Sequence, residues 1–304
     1  MRGALFLMLA MLLFDIMAAI IKYLGTVSSS PDGSTYSALQ LSVFRNAFGL
    51  IPSVAVLVLS SDWHEAGRPL IIRQWRLGFG RGIMVAFAQL CFYASLTRLE
   101  FATATTLAFV GPLFITALSV PILGLQVGPW RWFAVGLGFA GVVLVMQPGS
   151  DVFTLAALLP AGAAFGYALS SVSIKLMDSD VPIATINIYS TVGALLGSTL
   201  FVSVAGEWQQ VASLHDWVWL FGMGVAGGFA VLCLIAAYRS SDPGNLAPFE
   251  YFGILFSYVI GYFWFAEAPF DRLFPGALLI VAAGLLIVWR QKLNEKASSD
   301  SRNR

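Results

Sequence analysis

Long apolar runs separated by short polar segments dominate the pattern of this 304-residue chain. A run of about 20 apolar residues is long enough to cross the hydrocarbon core of a membrane as a helix. On that criterion the pattern predicts ten spans, at residues 3–25, 36–60, 77–98, 101–123, 130–147, 153–176, 183–205, 217–238, 244–266 and 273–290. The first run continues past Asp15 without a small-residue cleavage site, so we expect a retained span and not a signal peptide. The predicted fold class is an all-α polytopic membrane protein with a polar cytoplasmic tail at 291–304.

The apolar pattern contains one stretch twice. Residues 79–94 and 221–236, which are 142 positions apart, share half of their residues, including the chain's only two cysteines. The identical pairs are Phe79/Phe221, Gly80/Gly222, Gly82/Gly224, Phe87/Phe229, Ala88/Ala230, Leu90/Leu232, Cys91/Cys233 and Ala94/Ala236. Pairs at nearly the same offset extend the match: Gly49/Gly193, Gly111/Gly253 and Gly141/Gly284.

The repeat predicts how the two halves of the chain are oriented. Each copy contains five predicted spans, at 1–150 and 151–290, and an odd number makes the second copy enter the membrane from the opposite side. The sequence therefore predicts ten transmembrane helices arranged as two inverted five-helix repeats. Such repeats are typical of alternating-access transporters, whose binding site lies at the middle of the membrane.

Composition and charge agree with a membrane location. The chain is 58% hydrophobic and 11% charged, whereas soluble domains contain about 25% charged residues. With the N-terminus inside, twelve Lys and Arg residues lie at inner loops and ends and two at outer ones, which predicts both termini in the cytoplasm of a bacterial inner membrane. A net charge of +1 gives no indication of a nucleic-acid partner. The cysteines and histidines lack the spacing of a metal or cofactor site.

Three ionisable residues lie well inside predicted spans. At 1.5 Å per residue, Asp15 lies about 18 Å along the first span, Arg45 about 14 Å into the second and Glu250 about 9 Å into the ninth. An unpaired charge at the centre of a span costs roughly 3 kcal/mol, so we expect all three to face the bundle interior. Their repeat counterparts are Ala168, Tyr189 and Ala108. Charges that are not duplicated are expected where a symmetric scaffold recognises an asymmetric ligand.

Asp15 and Arg45 allow two interpretations. They form a buried structural ion pair, or they bind opposite poles of a substrate. In the second case Asp15 or Glu250 could also carry a coupling proton. Other charges near span ends are expected to be solvated: Lys22 and Arg81 by extending to the membrane surface, Glu267 and Asp271 at the outer end of the ninth span.

Prolines and aromatic residues extend the candidate site. Pro112 and Pro248 lie in corresponding spans of the two halves. Each removes a backbone hydrogen bond and can kink a helix, so both are predicted to lie at the binding region. The aromatic residues near the buried charges are Phe14, Tyr93, Tyr189, Phe249 and Tyr251. They are candidates for stacking on a flat substrate or enclosing a cation, and packing or lipid-facing roles are the alternative.

These features resemble the drug/metabolite transporter superfamily in its EamA-type bacterial branch. The resemblance covers residues 3 to 290 and rests on the five-plus-five layout, the segment 43–46 around Arg45, and the Gly-rich stretches 136–145 and 276–288. Residues 266–267 are similar to the family's Gly-Glu signature, although the corresponding residues 124–126 of the first half lack a glutamate. The resemblance implies a ten-helix inner-membrane carrier of small organic solutes. We expect no cofactor, and either a monomer or a homodimer. Asp15 and Lys22 in the first span resemble the pattern of S-adenosylmethionine-type carriers.

The function expected from these observations is alternating-access transport of a small zwitterionic or cationic metabolite, such as an amino acid, an amine or an S-adenosylmethionine-like compound. The alternative within the class is a carrier of a neutral flat compound such as riboflavin, held by aromatic residues. A membrane enzyme would need a nucleophile–base set, a metal cluster or paired carboxylates at depth, and the sequence does not indicate one. A sensor would need a regulatory domain or long tail, which the sequence also does not indicate.

Overall fold

The computed structural model describes residues 2–27, 35–59, 61–65, 67, 72–124, 129–146, 155–173, 176–178, 181, 183–211, 213–240, 252–267, 274–283, 285–286 and 289. The regular elements within these ranges are helices. They are α1 (Arg2–Thr26), α2 (Ala38–Leu59), α3 (Ser61–Glu65), α4 (Trp75–Leu96), α5 (Phe101–Ala108), α6 (Gly111–Leu123), α7 (Pro129–Met146), α8 (Leu158–Ser173), α9 (Ile183–Ala205), α10 (Leu214–Ser240), α11 (Phe252–Phe265) and α12 (276–283). A 3₁₀ turn at Leu155–Ala157 precedes α8.

Seven described segments are long and apolar enough to cross a membrane. They are Gly3–Thr26, Ala38–Leu59, Trp75–Leu96, Phe101–Leu123, Leu155–Ser173, Thr185–Ala205 and Leu214–Leu234. These segments correspond to predicted spans one to four and six to eight. Three helices, α7, α11 and α12, lie within the other three predicted spans. The all-α membrane class is confirmed, whereas the count of ten and the inverted repeat stay predictions.

The fourth predicted span consists of two helices. Phe109 and Val110 are turn residues between α5 and α6. Pro112 has no N–H to continue the α-helical pattern through this point, and the N–H of Leu113 instead donates to the Val110 carbonyl at 3.0 Å. The break therefore lies next to the proline for which the sequence predicted a kink. Pro248, its predicted counterpart, lies outside the described residues.

Glycines bring helices close together at two crossings. Gly49 of α2 lies against Gly224 of α10, and Gly82 of α4 lies against Gly193 of α9. A Cβ atom at Gly224 would lie 3.2 Å from the Gly49 nitrogen, and one at Gly82 would lie 2.6 Å from the Gly193 Cα atom. Small residues permit such backbone approach, which stabilises helix pairs in lipid. Each crossing joins a helix of the first half to a helix of the second.

Other helix contacts also join the first half of the chain to the second. α1 packs against α10 and α11, and α8 packs against α4 and α6. α2 and α9 contact each other directly. Since most of these contacts join the first half to the second, residues from both halves surround the middle of the bundle.

Candidate functional site

A cavity of about 480 Å³ lies inside the bundle, between helices of both halves. Its volume is within the roughly 300–1,000 Å³ of small-molecule sites. α1, α2, α4, α5, α8, α9, α10 and α11 all contribute to the wall. The polar lining residues are Asp15, Arg45, Asn46, Ser53, Arg81, Gln89, Tyr93, Thr105, Tyr167, Ser170, Ser171, Asn187, Ser190 and Thr191. These side chains place hydrogen-bonding and charged groups inside an otherwise apolar bundle.

The cavity lies toward one end of the bundle, the end that contains the N-terminus of α1. α2 contributes residues 45–53, near its C-terminus, and α9 contributes residues 187–194, near its N-terminus. The other end is filled by the main apolar core, which includes the second half of α1 from Met17 to Leu24. Tyr36 and Asp216 add a hydrogen bond of 2.9 Å there, between two buried side chains. In this conformation one end of the bundle is therefore closed.

Lys22 is paired at this closed end. Its Nζ lies 2.5 Å from Glu267 Oε1 and donates to the Leu99 carbonyl at 2.9 Å, and the residue is 5% exposed. Glu267 also accepts the N–H of Phe101 at 2.6 Å. The ring centre of Phe265 lies 5.0 Å from the ammonium. The expectations that Lys22 extends to the membrane surface and that Glu267 is solvated are therefore wrong, because their partners lie within the protein.

Asp15 and Arg45 line the cavity from α1 and α2. Asp15 is 6% exposed, and within the described ranges its Oδ2 has no hydrogen-bond partner; nor has the Nε of Arg45. Arg45 Nη1 donates to Asn46 Oδ1 at 3.1 Å. The ion pairs between described residues do not include one between Asp15 and Arg45. The structural ion pair that the sequence left open is therefore not formed, although both groups border the same cavity.

A pair of buried amides holds this part of the wall. Asn46 Nδ2 donates to Gln89 Oε1 at 2.8 Å, and Gln89 Nε2 donates to Asn46 Oδ1 at 3.1 Å. Ser42 Oγ donates to the same Gln89 oxygen at 2.8 Å. These bonds join α2 to α4 and fix the residue next to Arg45. The sequence analysis missed Gln89, whose repeat counterpart is the apolar Val231.

Arg81 also lines the cavity, from α4. Its Nε donates to the Ser170 carbonyl at 2.9 Å and its Nη1 to Ser190 Oγ at 2.7 Å. The expectation that Arg81 extends to the membrane surface is wrong, because α8 and α9 provide acceptors inside the bundle. Its repeat counterpart is Met223. Asp15 was selected because its repeat counterpart is uncharged, and the same criterion would have identified Arg81.

The predicted aromatic residues lie in different places. Phe14 and Tyr93 line the cavity, and the buried Tyr93 Oη has no hydrogen-bond partner in the described part of the chain. Tyr189 is not among the lining residues; its ring packs edge-on against Phe79, with 5.2 Å between ring centres. The cavity wall also contains Phe92, Phe109 and Tyr167. Phe109 is one of the turn residues between α5 and α6, so the interrupted span borders the cavity.

Part of the predicted site lies outside the residues that the structure describes. The residues concerned, for which the sequence made a prediction, are Pro248, Phe249, Glu250, Tyr251 and Asp271. Gly253, just after four of them, lines the cavity, and a Cβ atom there would lie 3.6 Å from Asp15 Oδ2. Among the described residues, no group of three or more His, Cys, Asp or Glu side chains is arranged to hold a metal ion.

Comparisons with known proteins agree with this architecture. The chain is 26% identical over 300 residues to the riboflavin transporter of Vibrio cholerae, covering 97% of this chain and 96% of that protein. It is 25% identical over 302 residues to the S-adenosylmethionine uptake transporter of Rickettsia prowazekii, covering 99% and 97%. It is 25% identical over 288 residues to the pseudopaline exporter of Pseudomonas aeruginosa, covering 92% and 94%.

The fold and the family follow from two further matches. A solved crystal structure with 18% sequence identity superposes with a TM-score of 0.61 and covers 93% of this chain and 96% of that chain, so the two share a fold. The model of the EamA-like transporter family matches residues 1–147 and 154–289. Since these matches span almost the whole sequence, the chain belongs to the EamA-like transporter family.

Proposed function

We propose that the protein is a secondary transporter that moves a small zwitterionic or cationic organic metabolite across the bacterial inner membrane by alternating access. One observation carries this proposal: Asp15 Oδ2, Arg45 Nε and Tyr93 Oη are buried around one cavity without hydrogen-bond partners among the described residues. A buried polar atom without a partner costs about 1–3 kcal/mol, and a charged one more. A solute with an ammonium group for Asp15 and a carboxylate for Arg45 would supply the missing bonds.

The closed end of the bundle supports alternating access. Lys22, Glu267, Tyr36 and Asp216 form their polar contacts on one side of the cavity, where the main apolar core also lies. The lining residues lie toward the other side. Since the distribution of Lys and Arg predicts cytoplasmic termini, we assign this conformation as one whose cavity faces the cytoplasm.

The glycine crossings support an inverted repeat. The sequence aligns Gly49 with Gly193 and Gly82 with Gly224. The two observed contacts are Gly49 with Gly224 and Gly193 with Gly82. Exchanging the two halves therefore converts one contact into the other, as a pseudo-twofold axis between the halves requires.

A neutral flat substrate is the second candidate. Five of the described aromatic residues line the cavity: Phe14, Phe92, Tyr93, Phe109 and Tyr167. Offset stacking on such rings suits a planar heterocycle, and one relative of this chain is a riboflavin transporter. On this alternative the buried charges orient the helices and contribute little to substrate affinity.

Transport measured in vesicles with S-adenosylmethionine and riboflavin as test solutes distinguishes these candidates. Asp15→Asn, Arg45→Gln and Glu250→Gln are the test variants, and Asp178→Asn removes an exposed carboxylate outside the cavity lining as the control. We expect Asp15→Asn and Arg45→Gln to lower uptake by about 10-fold or more, since each charged hydrogen bond contributes about 1.5–3 kcal/mol. Wild-type rates in all three test variants would refute the site. If Asp15→Asn leaves the uptake of riboflavin unchanged, the second candidate is favoured.

Proton coupling is tested with the same vesicles. If Asp15 or Glu250 carries the coupling proton, its amide variant should retain exchange of solute across the membrane while losing accumulation driven by a proton gradient. Equal loss of exchange and accumulation would instead assign the carboxylate to substrate binding.

A further inference from the structure

Arg81 gives the described part of the cavity lining an excess of positive charge. The charged side chains there are Asp15, Arg45 and Arg81, that is, two cations and one acid. Lys22 does not add to this excess, because it is paired with Glu267. A solute that contacts these described residues therefore meets two guanidinium groups and one carboxylate.

Arg81 is held by neutral partners. A guanidinium has five N–H donors, and the bonds to the Ser170 carbonyl and to Ser190 Oγ use only two of them. Within the described part of the chain, no carboxylate lies within ion-pair distance of Arg81. Neutral oxygens orient the side chain but do not cancel its charge. In an apolar bundle an uncancelled charge is expensive, so an acidic ligand group would be strongly favoured at this position.

Arg81 and Arg45 are attached at different depths. Gln89, whose amide bonds to Asn46 next to Arg45, lies eight residues after Arg81 on α4. Eight residues of α-helix correspond to about 12 Å along the axis. While both arginines keep their observed hydrogen bonds, one small acidic group is therefore poorly placed to bind both guanidinium groups. A solute with two separated acidic groups can bind one arginine with each.

We propose that Arg81 binds an acidic group of the transported solute other than the group bound at Arg45. The substrate class is then a zwitterion with one additional carboxylate or phosphate, whose net negative charge balances the two arginines and Asp15. This inference rests on the proposed transport function and narrows its substrate class, excluding solutes with net positive charge.

The test compares solutes that differ by one acidic group. Suitable pairs are L-glutamate with L-glutamine, L-aspartate with L-asparagine, and riboflavin 5′-phosphate with riboflavin. Purified protein is heated with each, because a ligand that binds the folded state raises the unfolding temperature. We expect the acidic member of at least one pair to stabilise the wild type more than its neutral partner. In Arg81→Gln, affinity for that member should fall about 10- to 100-fold, with partial recovery in Arg81→Lys.

Arg98→Gln is the matched control, because it makes the same substitution at an exposed arginine outside the cavity lining. We expect it to keep the preference for the acidic solute. The proposal is overturned if the wild type prefers no acidic member, if Arg81→Gln keeps the preference, or if Arg98→Gln loses it equally. Uptake of a neutral solute by wild-type vesicles without any preference for its acidic partner would overturn this inference alone. If no member of the panel is transported or bound, both this inference and the proposed function fail.

Discussion

At the scale of single residues, the buried charges of this chain divide into two groups. Lys22 and Glu267 are paired at the closed end of the bundle. Asp15, Arg45 and Arg81 border the cavity without ion pairs among the described residues. The attraction within a pair offsets part of the desolvation cost of its two charges, whereas an unpaired buried charge depends on a ligand or on water. The first group is therefore expected to affect stability and conformation, and the second to affect binding.

The pair at the closed end can be tested by comparing single and double substitutions. Lys22→Met leaves the mostly buried Glu267 carboxylate without its cation, and we expect a loss of about 2 kcal/mol in the free energy of unfolding. Adding Glu267→Gln removes the orphaned charge and should restore most of this loss. Thermal unfolding in detergent measures both effects. A double variant as unstable as the sum of the two single variants would show that the pair is not coupled.

The sequence located the charges better than it located their partners. Asp15 and Arg45 were predicted to lie inside the bundle, because an ionisable residue in mid-span is too costly in lipid, and both line the cavity. Lys22 and Arg81 were assigned to the membrane surface from their positions near span ends. The direction of a long side chain depends on acceptors on other helices, here Glu267 for Lys22 and Ser190 for Arg81. Such neighbours are set by tertiary packing, which hydropathy does not specify.

At the scale of helices, seven of the ten spans predicted from hydropathy correspond to described segments long and apolar enough to cross a membrane, because length and apolarity decide what crosses a membrane. The interruption of the fourth span lies beside Pro112, where the missing N–H predicted it. Glycines four residues apart, as in Gly78/Gly82, Gly193/Gly197 and Gly224/Gly228, predict which helix faces pack closely. Gly80 and Gly82 lie on the same helix, and of these two only Gly82, which belongs to such a pair, is in close contact with α9. The spacing does not specify which helix each face meets, because that depends on tertiary packing.

This contrast gives a matched pair of variants. A Cβ atom at Gly82 would overlap the α9 backbone around Gly193, whereas one at Gly80 would have no neighbour within 4 Å. We expect Gly82→Ala to destabilise the protein by about 1–3 kcal/mol through overpacking. Gly80→Ala should be neutral or stabilise by up to about 1 kcal/mol, since alanine is the better helix former. Thermal unfolding in detergent measures both.

The second half of the chain provides an independent copy of this experiment. Gly222 and Gly224 are the repeat counterparts of Gly80 and Gly82, and again only the second of each pair is in close contact. We therefore expect Gly224→Ala to be less stable than Gly222→Ala. If the two halves gave opposite orders, the proposed equivalence of the two crossings would be wrong.

At the scale of the whole molecule, a scaffold with matching glycine crossings encloses a cavity whose charges are not matched. The crossings allow the two halves to pack against each other in a related way. Asp15, Arg45 and Arg81 line the cavity, and their counterparts in the other repeat carry no charge. A symmetric scaffold can exchange the roles of its two halves, as alternating access requires. The asymmetric lining can still recognise one solute throughout the exchange.

Accessibility of single cysteines tests this two-state picture. In a Cys91→Ala, Cys233→Ala background, Ser171→Cys places a thiol on the cavity wall, and Ala104→Cys places one in the fully buried core toward the closed end. With a membrane-impermeant maleimide, we expect the first thiol to react from the side of the α1 N-terminus and the second to be protected. Adding Glu267→Gln neutralises one partner of the Lys22 ion pair at the closed end, and should expose Ala104→Cys from the opposite side while slowing the reaction of Ser171→Cys. These opposite changes are required because one cavity cannot open to both sides in a carrier. A parallel rise in both reactivities would indicate general loosening of the fold, and reaction of both thiols from the same side would contradict alternating access.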